Sequence, residues 1–406
     1  MIVLGGSSMH KGANGWEASR AIACLPGLTG NVGIPGAGFG PRHGSAAHGR
    51  GSGNITAPER RRPGKAMPNQ MSSITAAMRE GQIHNLLLLG SNMLSSFADT
   101  NAVREGLSKT TMLVSYDLFL NDTAREFADV VLPATAWLEE LGCKATNTHL
   151  YLMPPALRPA GETRTLHDLI KDLAARCNLE DFYPWKSEEG MINAVLDHPS
   201  TGPATVASLA AQGGFTAMKI SHVANPTRKF DTPSGKIEFS SAQAELLGLG
   251  ALPDFLEPRQ YSNSRDSPND PSLTKAFPLS LAHGRTLAHF HSFYNNGREL
   301  PTLAKREKQP QLWISPLDAS SRNILHGAAI RIFNQRGMMS ARAHVTEKIA
   351  ASTVWIRDGW TGLNSLSEGK AVLPDAAVDR FSFSAGQATY DCRVEVARDE
   401  ASPGNS

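Results

Sequence analysis

The sequence predicts an α/β protein in two parts, a parallel-sheet region followed by a small barrel or sandwich of short strands. Between Leu86 and Gly142, three short apolar strands alternate with helical segments, and that order implies a parallel sheet with right-handed crossovers. From Pro278 onward the chain changes to short strands separated by turns.

The chain opens on a strand, Ile2–Leu4, that runs into Gly5-Gly6-Ser7-Ser8 with no basic n-region or cleavage site. A helix is expected from about Trp16, with Ala18, Ile22, Leu25 and Leu28 on one face. A globular α/β enzyme seldom opens on a buried strand with no partner at hand. Either the chain is a fragment, or the partner strands come from later in the sequence or from another polypeptide. Residues 30–53 hold nine glycines in 24 positions, which suits neither a helix nor a regular strand. Between Arg42 and Lys65, six Lys or Arg stand against one acid. Glycines let backbone N–H groups approach a ligand closely, and guanidinium groups pair well with phosphate. A solvated loop is the alternative, but structureless loops of this length in compact domains are usually functional or disordered.

Leu86–Leu89 is a continuous apolar run, too short for a helix and ended by Gly90-Ser91-Asn92. Ser95 or Ser96 offers an N-cap for a helix reaching about Ser108, with Val103 and Leu107 on one face. Met112–Ser115 is the second strand and ends at Asp117. Thr123–Phe127 is a short helical turn, and Asp129–Leu132 is a third, buried strand stopped by Pro133. Ligands of such a sheet bind in the crevice at the carboxyl ends of its strands. Gly90-Ser91-Asn92 and Asp117 stand at two strand ends and are expected to open into one crevice. A carboxylate there can accept two hydrogen bonds from a ribose diol, or from the N1–H and exocyclic amine of guanine. This points to a nucleotide-bearing ligand. The loop is not G-x-G-x-x-G, so the usual dinucleotide fingerprint is missing. A plain α/β sheet with an N-capping Asp117 is the competing reading.

Further on, Trp137–Gly142 reads as a short helix end, and Arg164–Cys177 as an amphipathic helix burying Leu166, Leu169, Ile170 and Leu173. Residues 178–230 are mixed. Asp231–Phe239 reads as a turn followed by a strand, and residues 253–276, rich in Pro, Ser, Asn and Asp, as a linker. The expected strands after it are Leu279–Leu281, Gln311–Ile314, Ala329–Phe333, Met338–Val345, Thr353–Ile356 and Cys392–Val396. Asn334-Gln335-Arg336-Gly337 supplies a hairpin turn.

A length of 406 residues calls for two or three domains, and 41% apolar with 19% charged residues is a globular composition. A formal net charge of +2 gives no steering towards nucleic acid or anionic membrane. No apolar run approaches the ~20 residues needed to span a bilayer. A nucleic-acid partner and a transmembrane segment are therefore not expected. The four cysteines, at 24, 143, 177 and 392, lie far apart with no C-x-x-C, which argues against an iron–sulfur cluster, structural zinc or a disulfide framework. The missing processing signal points to the cytoplasm if the chain is complete, and to the periplasm if an export signal lies upstream.

Two loops could carry chemistry. His283-Gly284-Arg285-Thr286-Leu287-Ala288-His289-Phe290-His291-Ser292 gathers three histidines and an arginine, and on a strand His289 and His291 would face one side. Anion or heterocycle binding, a metal site and ordinary packing all remain open for it. Asp358-Gly359-Trp360-Thr361-Gly362-Leu363-Asn364 offers a Trp face for stacking and an Asn amide for a heterocycle edge, or a structural turn.

Taken together, LPGLTGNVGIPGAGFGPRHG, LLLLGSN, SYDLFLNDTAREFADVVLPATAWLEELG, DTPSGKIEF, HGRTLAHFHS, LHGAAIRIFNQRG and DGWTGLNSL occur in family order from end to end of the chain. They resemble the C-terminal half of a prokaryotic molybdopterin oxidoreductase, from the superfamily of formate dehydrogenases, nitrate reductases and dimethyl sulfoxide reductase. The ADVVLP run with its trailing E-x-x-G is the specific signal, and HGRTLAHFHS resembles the family's pterin-contacting loop.

The resemblance implies a Rossmann-like parallel-sheet domain followed by a C-terminal double-psi β-barrel. It divides the chain into a dinucleotide-binding α/β region (1–180), a mixed connecting region and linker (181–276) and a dinucleotide-binding barrel (277–406). The implied cofactor is molybdopterin guanine dinucleotide carrying Mo or W, with Asp117 on guanine. The cofactor-binding residues it implies are Gly90, Ser91, Asn92, Asp117, Thr123, Gly284, Arg285, Leu287, His289, His291, Ser292 and Asn364. His43 stands where formate dehydrogenases carry a catalytic arginine, with Arg42 beside it. These two are the candidate catalytic residues, and formate is not implied. Asp391 stands where the family commonly has a lysine. A cluster-binding cysteine region and a metal ligand would lie upstream of Met1, so no Fe–S cluster is expected on this chain. Its expected partners are a small-molecule substrate and either an N-terminal half or an Fe–S electron-transfer subunit. The implied activity is two-electron or oxygen-atom transfer at the metal. The alternatives are a non-catalytic cofactor-binding subunit and, behind it, a nicotinamide-dependent dehydrogenase using Asp117 on ribose.

Overall fold

The structure is a computed structural model of the 406-residue chain. It describes residues 2–4, 11–12, 14–41, 70–146, 148–221, 223, 225–254, 271–287, 292, 300–369 and 391–399. The first elements are β1 (Ile2–Leu4), α1 (Gly15–Leu28), β2 (Phe39–Pro41), α2 (Met71–Arg79), β3 (Asn85–Leu89), α3 (Met93–Ser96) and α4 (Thr100–Leu107). They are followed by β4 (Met112–Asp117), α5 (Asp122–Phe127), β5 (Val130–Pro133), β6 (Gly142–Ala145), β7 (His149–Met153), α6 (Leu166–Arg176), α7 (Glu188–Leu196), α8 (Val206–Ala211) and β8 (Phe215–Ala217). Next come α9 (Ala242–Leu246), α10 (Pro271–Ala276), β9 (Leu279–Gly284), α11 (Pro301–Arg306), β10 (Gln311–Ile314) and α12 (Pro316–Ser320). The last are β11 (Ala329–Phe333), β12 (Met338–Val345), β13 (Thr353–Arg357) and β14 (Cys392–Arg398). Among the described residues no helix is long and apolar enough to cross a membrane.

The chain divides into two compact units. One comprises Met1–Gly6, Ile22–Ala66 and Leu132–Phe239, and the other Ser7–Ala21, Met67–Val131 and Ser240–Ser406. In the first, β1 pairs in parallel with β2, Ile2 opposite Phe39. The opening strand thus finds its partner later in the same chain, inside the glycine-rich stretch where no regular strand was expected. A three-stranded antiparallel sheet, β6-β7-β8, places Leu150 against Ile192 and Leu196 of α7 and Val206 and Leu209 of α8.

Several expectations fail here for local reasons. Where Trp137–Gly142 was expected to be a helix end, residues 137–140 are a turn and bend that lead into β6 at Gly142, with both carboxylate oxygens of Glu139 taken by backbone, Oε2 accepting from Ala136 N and Oε1 from Ala160 N. Helix α6 starts at the Thr165 cap, but Leu166 and Leu173 stay exposed while His167 and Ala174 are buried. His167 Nδ1 shares a 3.0 Å hydrogen bond with the Tyr183 hydroxyl, while its Nε2 is buried without a hydrogen-bond partner among the described residues. Residues 231–239 keep the turn and lose the strand, since Thr232 Oγ1 bonds Lys236 O at 2.7 Å and competes with any sheet ladder. Along α1, which spans the division between the units, Leu25 and Leu28 are exposed. The buried side chains are Pro26 and Glu17, the latter accepting from Arg20 Nη1 and Asp254 N.

In the second unit β3 and β4 pair in parallel from Asn85–Met112 to Leu89–Tyr116, with β5 on the far side of β4. Leu88 and Leu113 pack against Met78 of α2 and Val103 and Leu107 of α4. The cap of α4 is Asp99, in the left-handed region at φ 54°, whose Oδ1 accepts from Ala102 N. Ser95 and Ser96, the expected caps, lie instead in the single turn α3. The strand β5, expected to be buried, is largely exposed.

The six expected C-terminal strands form a closed barrel in the order β10-β12-β11-β14-β9-β13. Inward alternation fills it with Leu279, Leu281, Leu312, Ile314, Ile330, Ile332, Val354 and Ile356. The predicted hairpin is present, Asn334 N bonding Gly337 O at 3.0 Å. A Cβ on Gly337 would lie 2.8 Å from Ser365 Cβ and 2.9 Å from Ser365 O. Gly337→Ala is therefore expected to lower stability by ~1–3 kcal/mol through overpacking, read as a lower urea midpoint with an unchanged slope.

Candidate functional site

The carboxyl ends of β3 and β4 meet at Gly90 and Asp117. Gly90 N–H donates to Tyr116 O at 2.8 Å, which extends the ladder by one residue and sets Gly90 beside Asp117. Gly90 turns there with φ 57°, and a Cβ on it would meet nothing within 4 Å. Glycine is needed at this position for the turn, and the space beside it is open. The half-buried Asp117 accepts from Asn121 Nδ2 at 2.9 Å through Oδ2 and from Phe119 N at 3.3 Å through Oδ1. A carboxylate has about four acceptor positions, so two remain for a ligand.

Asn121, not Asp117, is the cap of α5, its Oδ1 accepting from Ala124 N at 3.0 Å. One buried amide thus starts the helix and holds the carboxylate. The sequence signal was an Asn just before the Thr123–Phe127 turn. Thr123 is fully buried, donating to Asn92 Oδ1 at 2.8 Å and accepting from Leu94 N at 3.0 Å. It acts by orienting Asn92, while Ser91 is half-buried in the loop after β3.

The loop after β13 fastens onto these same elements. Asn364 Nδ2 donates to Ser95 O at 2.8 Å, Asp99 N to Ser367 O at 3.1 Å and Thr361 Oγ1 to Asp122 Oδ2 at 2.7 Å. At its other end Asp358 N donates to Gly284 O at 2.8 Å, and Arg285 Nε lies 3.9 Å from Asp358 Oδ2. Gly284 has no room for a side chain, since a Cβ would lie 2.5 Å from Trp355 Nε1. Trp360 is not a free stacking platform. It is buried, and the Arg357 guanidinium lies 4.2 Å from its ring centre. Arg357 is itself buried, with Nε 2.7 Å from Glu307 Oε2 and Nη1 donating to Asp358 O. Burial works against its charge, and Glu307 and Asp358 work for it. This network, built on β13 and α11, was invisible in the sequence.

Of the remaining candidates, Leu287 is fully exposed and Ser292 half-buried. Arg42, His43, His289 and His291 lie outside the described residues. Among the described residues no three His, Cys, Asp or Glu side chains gather as a metal site. The hydroxyls of Ser95 and Thr286 are buried without a hydrogen-bond partner in the protein. Such groups, beside Asn364 and Arg285, suit a site that receives a polar ligand.

Residues 1–176 match the model of the molybdopterin oxidoreductase family, and residues 279–383 that of the molybdopterin dinucleotide binding domain. The chain belongs to the molybdopterin oxidoreductases. It is 29% identical to the probable oxidoreductase YoaE of Bacillus subtilis, over 98% of this chain and 56% of that protein. It is 28% identical to the dimethyl sulfoxide reductase DmsA of Escherichia coli, over 86% of this chain and 47% of that protein. The solved structure of acetylene hydratase from Pelobacter acetylenicus shares the fold, with a TM-score of 0.64 and 23% identity over 87% of this chain and 50% of that one. The chain spans about half the length of the curated relatives it matches.

His283, one residue before Gly284, has a buried Nε2, and burial, helped by the charge of Lys11, lowers its pKa to about 4. The unfolded chain, with an ordinary histidine, binds more protons between about pH 6.5 and that value. Stability is thus fully present above about pH 6.5 and falls as the pH drops. Wild type is expected to lose up to ~2 kcal/mol more than His283→Gln between pH 7 and pH 5, measured by urea unfolding at both.

Proposed function

We propose that this chain binds molybdopterin guanine dinucleotide, in two copies, as one part of an oxidoreductase. The observation that carries the reading is the Asp117 carboxylate, held by Asn121 at a strand end beside the open turn at Gly90. Its two remaining acceptor positions suit the N1–H and amine of guanine. Asn92, its Oδ1 held by Thr123, keeps an amide N–H pair for the nucleotide. Arg285, with Asp358 behind it, would meet pterin or phosphate oxygens by charge-assisted hydrogen bonds. The six-stranded barrel is read as the double-psi form that carries this loop.

When bound, the cofactor supplies Mo or W on dithiolene sulfurs, and with it two-electron or oxygen-atom transfer. This chain's residues bind and orient the nucleotide ends and shield the site from water. His43 and Arg42 are the proposed catalytic residues on its substrate side. The metal ligand and any Fe–S cluster are assigned to polypeptide outside these 406 residues, with a small molecule as substrate. Cys392 itself is poorly placed to be such a ligand. Its thiol is pushed up to about 12 by burial and donates to Leu366 O at 2.9 Å, a thiol fixed in its neutral form. A nicotinamide dinucleotide fits less well, because the helix that follows Gly90 is a single turn.

The test is base preference. Wild type is expected to bind a guanine nucleotide roughly ten- to a hundredfold more tightly than its inosine analogue, as one unpaired buried group costs ~1–3 kcal/mol. Asp117→Asn is expected to erase the difference. Competition binding of the two nucleotides measures it, and equal affinities in wild type would mean that Asp117 does not read the base.

A further inference from the structure

The rim of the barrel buries a charge that packing alone does not require. β13 pairs in parallel with β9, and their last rung sets Arg357 opposite Gly284. The Arg357 side chain is 3% exposed, with Nε 2.7 Å from Glu307 Oε2. Apolar side chains of similar volume in place of a buried ion pair are often neutral or stabilising. An apolar side chain could not, however, hold the Asp358 peptide. Arg357 Nη1 donates to Asp358 O at 2.8 Å, and Asp358 N donates to Gly284 O at 2.8 Å. The residue is gripped through both of its backbone polar groups, which sets the direction in which its side chain leaves the chain. Its carboxylate Oδ2 then lies 3.9 Å from Nε of Arg285, the residue after Gly284, whose side chain is 34% exposed.

Four charges of alternating sign, Glu307, Arg357, Asp358 and Arg285, thus run from the buried rim to the exposed end of β9. The aim of the Arg357 fork is set by the Trp360 ring on one face, 4.2 Å away, and by the Glu307 carboxylate at its Nε edge. We infer that Glu307 is a positioning residue for Arg285. It holds the Arg357 guanidinium where Nη1 fixes Asp358, and the Asp358 carboxylate in turn steadies the Arg285 guanidinium towards the cofactor. The inference rests on the proposed function, which brings pterin or phosphate oxygens to Arg285. The competing role for Glu307 is packing, with the ion pair fastening the end of α11 to the barrel. The two roles differ in one respect: positioning needs Arg285 to be present, and fastening does not.

Cofactor-loaded enzyme from its own cells would be compared as wild type, Glu307→Gln, Arg285→Ala and the double variant. Release of pterin is followed by the fluorescence of its oxidised form, in buffer where the far-ultraviolet circular dichroism stays unchanged. Arg285→Ala is expected to speed release ~10-fold or more, the scale of one charge-assisted hydrogen bond. Glu307→Gln is expected to speed it ~3- to 10-fold, and to add nothing in the Arg285→Ala background, since residues that act through one contact are not additive. An equal fold-change in both backgrounds would assign Glu307 to packing and overturn the inference. So would unchanged release from Glu307→Gln, or from Arg285→Ala. Should Glu307→Gln strand the Arg357 charge and fail to fold, Glu307→Gln combined with Arg357→Met leaves no charge buried there. That variant is expected to keep the wild-type urea midpoint and still release pterin ~3- to 10-fold faster, again only with Arg285 present. Wild-type release from it would overturn the inference. Wild-type enzyme that carries no pterin would remove the cofactor reading and the inference with it, whereas every other outcome is read on enzyme that does carry it.

Discussion

The hydrogen bond from Asn364 Nδ2 to the carbonyl of Ser95 joins the barrel to the sheet at the site. It is one of three short contacts, with Asp99–Ser367 and Thr361–Asp122, between the loop after β13 and the helices α3 to α5. That one loop reaches the sheet through Asn364 and the β9 end through Asp358, so the Gly90–Asp117 edge and the Gly284–Arg285 end are held by a single connection. Its rigidity comes from beneath. The Arg357 guanidinium is buried between the Glu307 carboxylate and the Trp360 ring, and bonds the Asp358 carbonyl. A buried charge with its partner removed costs several kcal/mol, so the loop has few other arrangements open to it.

The same division of labour appears on the sheet side. Gly90 borders open space and Asp117 beside it is half-buried, while Asn121 and Thr123 are buried, Asn121 bonded to Asp117 and Thr123 to Asn92. Two uncharged side chains thus fix the direction of a carboxylate and an amide. Specificity for a base edge depends on such fixed directions more than on charge, which suits a chain whose formal net charge is only +2.

Elements marked by unbroken or alternating apolar runs were legible in the sequence: β3, β4, all six barrel strands and the Asn334–Gly337 hairpin. So was the meeting of Gly90 with Asp117, because strand ends of a parallel sheet share one edge. What depends on partners distant in sequence was not legible. The stripe of α6 pointed to Leu166 and Leu173, but the helix buries His167, whose Nδ1 bonds the distant Tyr183 hydroxyl. The cap of α4 is a left-handed Asp99, a conformation that no local pattern announces. Trp360 looked free to stack, yet Arg357, three residues earlier, occupies its ring. At the candidate site, the residues at the strand ends, Gly90 and Asp117, were easier to read than Asn121, Glu307 and Asp358, whose places are set by folding contacts.

The central claim is that the strand-end carboxylate selects guanine, and the nucleotide carried by the cofactor tests it most directly. Mild acid hydrolysis of the purified, cofactor-loaded enzyme, followed by chromatography, identifies the mononucleotide released per chain. The predicted product is GMP in stoichiometric amount, diminished in Asp117→Asn. Release of CMP or AMP in its place, or of a pterin with no nucleotide, would contradict it.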